Sequence, residues 1–446
     1  MIISGVNNSQ NYSFFNVNQS GNQKTPEALT TDKYVPTTSS TSATYNMFGN
    51  IQKSIFDSFT NENSFMSAIR TVFDNVENQA LSSETLTQAA KISDEFKKKG
   101  EWLSISPDGK HVSIRDAENV YYEGKEQSIS VSNSDNVVLN ATKGKKEINI
   151  FGSKNVVSNT GEGSDRLFAN NSSNVIINSG GGNDGIGVIR SKNVLINSGN
   201  GDDRVFSSGS SGVAIKSGKG NDIITVGNSN SIIIDSGDGN DKTTLYSSDS
   251  VNINNGDGND TTSAISSENL IIDGGKGDDI INVQHSSNVI VDGGDGDDVI
   301  TVEHSSNVIV DGGAGNDTIT ASGIISGGTG DDYIKLHHSI FLKDEKIQDV
   351  IKYSKGDGND IVEGVTEDTI IELNGISEDE YDITESRNEN GTKVKTLTMK
   401  DGSGSMTLIY NGSTYSNHVK KQDNAEQYSN MPEYTRLNNV SVGQAD

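Results

Sequence analysis

The apolar residues of this chain are grouped rather than spread. From about residue 126 they form short runs, such as NVIV at 288–291 and DVITV at 298–302, separated by polar turns. Asn136, Asn155, Asn174 and Asn193 are each 19 apart; the register then passes through Gly212, Ser231 and Ser250 and resumes at Asn269, Asn288 and Asn307. Runs this short and this rich in Val and Ile predict strands. Two strands and two turns in 19 residues make one coil of a parallel β-solenoid. Its coils stack about 4.8 Å apart, so residues 19 apart lie one above another.

Three columns are expected to fill the interior. One residue past the Asn register comes a column such as Val175, Val194 and Val213, and three past it one such as Ile177, Ile196 and Ile215. Two residues past each turn aspartate comes a third, including Ile186, Val205 and Ile224, with Thr243 and Thr262 as polar interruptions. The position between the first two columns (Val157, Ile176, Leu195, Ala214, Ile233) should point outward, yet it is apolar. Such a stripe is large for an exposed surface. It calls for a cover, with the helical pattern of 47–99 as one source and a partner or second copy as the other.

Outside the repeat the pattern changes. Residues 1–45 are rich in Asn, Ser and Thr and read as a disordered polar leader. Over 46–100 the period is helical, with Phe48, Ile51, Ile55 and Phe59 on one face. WLSIS, PDGK and HVSIR predict a hairpin within an N-terminal cap over 101–125. The expected whole is mainly β: a right-handed parallel β-roll or β-solenoid over 126–340, an antiparallel β cap over 341–415 and a polar tail over 416–446.

Composition narrows the chemistry. Lys plus Arg number 35 against 62 Asp plus Glu, a net charge of −27. This excludes nucleic acid as an expected partner and favours cations. No cysteine is present, so neither disulfides nor thiolate sites are available. No stretch reaches the roughly 18–20 apolar residues of a membrane span. The opening MIISGVNNSQNYSFF has no basic segment followed by an apolar one, so a cleaved secretory signal is not expected.

The acids are concentrated in the turns. Ten residues after each register position, from Asn155 on, stands an aspartate: Asp165, Asp184, Asp203, Asp222, Asp241, Asp260, Asp279, Asp298 and Asp317. GGKGDDIIN (274–282), GGDGDDVIT (293–301), GGAGNDTIT (312–320) and GGTGDDYIK (327–335) resemble the calcium-binding nonapeptide of repeats-in-toxin proteins. In that family the repeat forms a parallel β-roll with calcium between successive turns. The chemistry is consistent, because Ca²⁺ takes six to eight oxygens from carboxylates and backbone carbonyls. The alternative is a plain Gly-Asn-Asp turn ladder with no ion.

The resemblance implies metal ligands at Asp184, Asp203, Asp222, Asp241, Asp260, Asp279, Asp298, Asp317 and Asp332, with Asp360 a further one. The preceding residues Asn183, Asp202, Asn221, Asn240, Asn259, Asp278, Asp297, Asn316 and Asp331 would shape the turn and supply backbone oxygen. So would Gly182, Gly201, Gly220, Gly239, Gly258, Gly277, Gly296, Gly315 and Gly330. The chain departs from the family pattern in three ways. The second turn of each coil is SSN-like, so one row of calcium on one edge is expected, opposite a Ser/Asn ladder. The first glycine is replaced by Ser179, Ser198, Ser217, Ser236 and Asn255, which should weaken those sites. Lys146 takes the aspartate register at the N-terminal end. His285 and His304 are expected as surface neighbours on the Ser/Asn edge rather than as a metal site.

The resemblance implies a secreted or cell-surface bacterial protein that would fold on Ca²⁺ outside the cell, with export expected without a Sec signal by a type I or type III-like route. A structural, adhesive or host-interaction role is expected, through a protein or glycan on the solenoid face. A toxin or effector role and a polysaccharide-acting β-helix enzyme are the alternatives. No repeated cluster of catalytic residue types supports the enzyme. Ice binding would want a Thr column between the glycines, where Gly181, Asn200, Lys219 and Asp238 stand instead.

Overall fold

A computed structural model describes residues 103–337 and 348–410. The expectations for 1–45, 46–100 and 416–446 lie outside these residues. Among the described residues there is no helix, and so none long and apolar enough to cross a membrane. They fall into two compact units, dividing after Asn254. Each is a parallel β-solenoid.

In the first unit every coil contributes one strand to each of two sheets. Strands such as Arg166–Asn170, Gly185–Ile189 and Arg204–Ser208 pair in parallel, with Leu167, Ile186 and Val205 in one file. Strands such as Ser173–Asn178, Lys192–Asn200 and Ser211–Lys219 form the other sheet, with Val175, Val194 and Val213 in register. The step of 19 is thus the length of one turn of the solenoid. Leu103–Ile105 and His111–Arg115 form the expected antiparallel hairpin, and the latter already pairs in parallel with Ser128–Ser132.

The second unit repeats the plan and then ends it. Its coils shorten to a step of 15, where Thr318 pairs with Tyr333, and lengthen to 28, where Tyr333 pairs with Ile361. Gly404–Tyr410 adds to Gly358–Val365, and Lys393–Met399 and Tyr381–Arg387 follow in antiparallel. The antiparallel end occupies the last parallel edge, which would otherwise offer unpaired N–H and C=O groups.

Alternation places the core between the sheets. All three expected columns are buried, and a fourth joins them four residues past the aspartate, including Val188, Val226, Leu245 and Val283. The polar interruptions have partners. Thr262 donates to Asn255 Oδ1 at 3.1 Å, and the Thr243 and Ser236 hydroxyls lie 3.5 Å apart. The stripe expected to point outward is buried as well, from Ile233 at 0% to Ile309 at 9% exposure, and so offers no open apolar face.

The edge opposite the glycine-rich turns is a double ladder. Asn155, Asn174 and Asn193 hold φ of 51–55°, a left-handed conformation that Asn tolerates better than other side chains. Gly212, Ser231 and Ser250 keep the same conformation, so the backbone persists where the Asn register lapses. Asn174 Nδ2 donates to Asn155 Oδ1 at 2.8 Å, and Asn193 Nδ2 to Asn174 Oδ1 at 3.0 Å. Beside them Ser172 Oγ accepts the Ser153 N–H at 3.2 Å and donates to Asn170 O at 2.9 Å. Asn174→Val removes two side-chain bonds and forces a β-branched residue into this conformation, which should cost about 1–3 kcal/mol. Asn174→Gly, which keeps the backbone at ease, should cost less; thermal unfolding followed by circular dichroism would rank the two.

Candidate metal centre

Each glycine-rich turn is organised by its aspartate. Asp184 Oδ1 accepts the backbone N–H of Asp165, one coil earlier, at 2.7 Å; Asp203 does the same for Asp184, and Asp222 for Asp203. In the second unit Asp279, Asp298, Asp317 and Asp332 accept from Asp260, Asp279, Asp298 and Asp317 at 2.7–2.8 Å. Asp360 closes the series by accepting the Asp332 N–H at 3.2 Å. The carboxylates are therefore stacked inside the turn, 1–3% exposed.

In all of these but Asp360 only one oxygen is used. Oδ2 of Asp184, Asp203, Asp222, Asp279, Asp298, Asp317 and Asp332 is buried without a hydrogen-bond partner. A charged oxygen held this way is costly unless a proton or a cation joins it. Burial pushes the carboxyls up to about 6 at Asp184, Asp222 and Asp332, about 7 at Asp203, Asp298 and Asp317, and about 8 at Asp279 and Asp360. The backbone N–H bonds work against that rise, and the acids one coil away add to it at Asp203 and Asp279.

The residues before the aspartates do not share this interior. Asn183, Asp202, Asn221, Asn240, Asn259, Asp278, Asp297, Asn316 and Asp331 are exposed along the rim. Their side-chain oxygens accept the next coil's backbone N–H, as Asp202 does for Asn221 at 2.9 Å and Asp297 for Asn316 at 2.7 Å. Lys219 and Asp238 pair on the same rim at 2.6 Å, and Lys276 and Asp257 at 2.7 Å, but such exposed pairs add little stability.

The glycines are required by the backbone. Gly294 has φ of 105° and Gly296 of 140°, and a Cβ on either would collide with a glycine carbonyl of the preceding coil. Gly182, Gly201, Gly220, Gly239, Gly258, Gly277, Gly315 and Gly330 also hold positive φ.

Among the described residues no group of three or more His, Cys, Asp or Glu side chains converges as a metal site. A cation in these turns would therefore draw mainly on backbone carbonyls, with one or two carboxylates. The first-position glycines fit that donor set. A Cβ on Gly293 would stand 2.2 Å from Gly312 O and 2.4 Å from Asp298 Oδ2, so both oxygens close in on the bare Cα. Gly274 and Gly312 repeat the arrangement with Gly293 O and Asp279 Oδ2, and with Gly327 O and Asp317 Oδ2. A hard cation wants such a mixed set of oxygens.

The contacts of Lys146 and the place of His337 were not legible beforehand. Lys146 is only 1% exposed and its Nζ donates to Glu126 O at 2.9 Å, while its backbone N–H donates to Asp165 Oδ1 at 2.6 Å. An ammonium thus stands in the aspartate register at that end. His285 and His304 stack with ring centroids 5.0 Å apart, and His337 packs edge-on to His304 at 5.6 Å. His337 escaped notice because the shortened coil breaks the spacing of 19.

The fold and the turns together define a repeat protein of the parallel β-solenoid class, consistent with a β-roll. No family profile, curated protein or solved structure matches the chain.

Proposed function

We propose that this chain is a calcium-binding β-roll protein similar to repeats-in-toxin proteins, secreted and completed by Ca²⁺ outside the cell, where it serves a structural, adhesive or host-interaction role. One observation carries the calcium reading. Buried Asp279, Asp298 and Asp317 each leave Oδ2 without a hydrogen-bond partner, close to a glycine carbonyl of the next coil. Metal binding to such a scaffold is also folding energy, because the unfolded chain lacks the stacked oxygens. Inside a cell, where Ca²⁺ is scarce, the charge of −27 would hold the chain loose enough for export. Outside, at the roughly 10⁻⁴–10⁻³ M to which extracellular calcium modules are tuned, it would close.

Circular dichroism and calorimetric titration of the full chain would test this at pH 7.5. Strand signal should appear as Ca²⁺ rises from chelator to about 1 mM, and Mg²⁺ should not replace it. Mg²⁺ demands near-octahedral geometry and gives up water reluctantly. Complete strand signal in chelator, with no heat on adding Ca²⁺, would defeat the reading.

A further inference from the structure

The outer face of one sheet in the first unit runs against the charge of the chain. Strands Arg166–Asn170, Gly185–Ile189, Arg204–Ser208, Ile223–Gly227 and Lys242–Tyr246 alternate outward and buried positions. In a protein with 62 Asp plus Glu, none of their outward positions is acidic. Asp165, Asp203 and Asp241, which precede three of these strands, turn inward at 1–3% exposure. Arg166, Arg204 and Lys242 are exposed in one file, which Glu147 bounds before Arg166. Among the described residues, none of these three cations forms an ion pair or a side-chain hydrogen bond.

Aromatic rings keep the same step. Phe168 and Phe206 stand two residues after Arg166 and Arg204, in the next outward file, with Gly187 between them. A Cβ on Gly187 would meet the Phe168 ring at 2.8 Å, and one on Gly227 would run into the Tyr246 ring. Neither glycine has positive φ, so the ring and not the backbone requires it. Both rings thus lie against the sheet, and Phe206 is 37% exposed. Arg166, Arg204 and Lys242 are 38 residues apart, as are Phe168 and Phe206. That is two coils, or roughly 9.6 Å along the solenoid. The fold itself does not demand cations there, since the same strand position in the second unit holds Ile280, Val299 and Thr318.

We infer that this face binds an acidic polysaccharide lying along the solenoid, with carboxylates on Arg166, Arg204 and Lys242 and sugar rings on Phe168 and Phe206. A cation and a ring that repeat at a fixed step match a linear polymer whose anion and sugar face repeat too. The step is close to one disaccharide of an extended chain, which favours one carboxylate per disaccharide. A guanidinium pairs with a carboxylate through two parallel hydrogen bonds, and the negative face of an aromatic ring suits the C–H groups of a sugar. A folded acidic protein offers no such period. The inference deepens the adhesive part of the proposed function and rests on it, but not on the calcium reading.

Calorimetric titration of the full chain with hyaluronan oligosaccharides, in about 1 mM Ca²⁺, tests this. Hyaluronan carries one carboxylate per disaccharide and should bind. Arg166→Gln with Arg204→Gln should weaken binding by about tenfold or more, since hydrogen bonds between charged groups are the strong ones. Phe206→Ala should weaken it as well. Lys154→Gln with Lys192→Gln removes two exposed cations at the same step from the other sheet and should change nothing. Circular dichroism of each variant should show the wild-type strand signal, which separates lost contacts from a lost fold. Hyaluronan binding that is untouched in the arginine variant, or equally weakened in the lysine variant, would overturn this face while leaving an adhesive role standing. Equal affinity for uncharged dextran or for duplex DNA would overturn the acidic polysaccharide as its ligand. No binding of any of these by the wild-type chain would remove the face and the adhesive role together.

Discussion

Stripped of metal, the protein should be most stable in mild acid and should lose its fold as the pH rises from about 5 to 8. The folded-state carboxyls lie at about 6 to 8 for Asp184, Asp203, Asp222, Asp279, Asp298, Asp317, Asp332 and Asp360, raised first by burial. An unfolded aspartate titrates near 3.9. Between those values the folded chain holds protons that the unfolded chain has released, so raising the pH favours unfolding. The contribution is fully present below about 4 and is lost as the pH passes through 6 to 8. A two-unit rise at one carboxyl corresponds to about 2.7 kcal/mol, and a whole domain has only about 5–15 kcal/mol. Several such groups ionising together should therefore abolish the transition.

Saturating Ca²⁺ should reverse this dependence. The cation takes the place of the protons, and its affinity rises with pH because the ligands must be deprotonated. Thermal melts in chelator and in 5 mM Ca²⁺, on the order of the upper extracellular range, should diverge above pH 6 and converge near pH 5. Parallel melts across pH 5–8 would show that neither burial nor repulsion governs the column.

The second large effect separates two adjacent isoleucines. Ile281 is fully buried between the sheets, whereas Ile280 is 44% exposed on the outer face of the same strand. Ile281→Ala should cost about 2–5 kcal/mol through lost transfer energy and the cavity left behind. Ile280→Ala should cost under about 1 kcal/mol, since much of that side chain already meets solvent. Because Ile281 stacks with Ile300 in the next coil, the cavity opens into a continuous column and cannot close by shifting one neighbour. Denaturant unfolding of both variants in Ca²⁺ would measure the contrast, and equal losses would mean that alternation does not set the inside of this strand.

Much of this protein is written in one dimension. An interval of 19 residues gave the coil length, because in a solenoid the sequence period and the stacking period coincide. Alternation in runs such as DVITV identified the inward columns, since side-chain direction in a strand has a period of two. The intervals of 15 residues from Asp317 to Asp332 and of 28 from Asp332 to Asp360 likewise equal the lengths of the coils there. Glycine and aspartate spacing marked the turns. What spacing could not convey was direction within them.

Only the stacked structure decided that Asp298 and Asp297, neighbours of the same type, face opposite ways. One lies inside the turn with an unpartnered oxygen, and the other laces the exposed rim. The same holds for the first turn position. Ser179 and Gly293 look like small substitutions of one another, yet one places a hydroxyl against the next coil's carbonyl and the other lets a carbonyl and a carboxylate oxygen close in on its Cα. Period and polarity are properties of single residues along the chain, so the sequence alone determined the coil, its core and its acidic edge. Whether a buried oxygen meets a hydroxyl, a backbone N–H or no partner at all depends on the neighbouring coil, and that relation exists only once the coils are stacked.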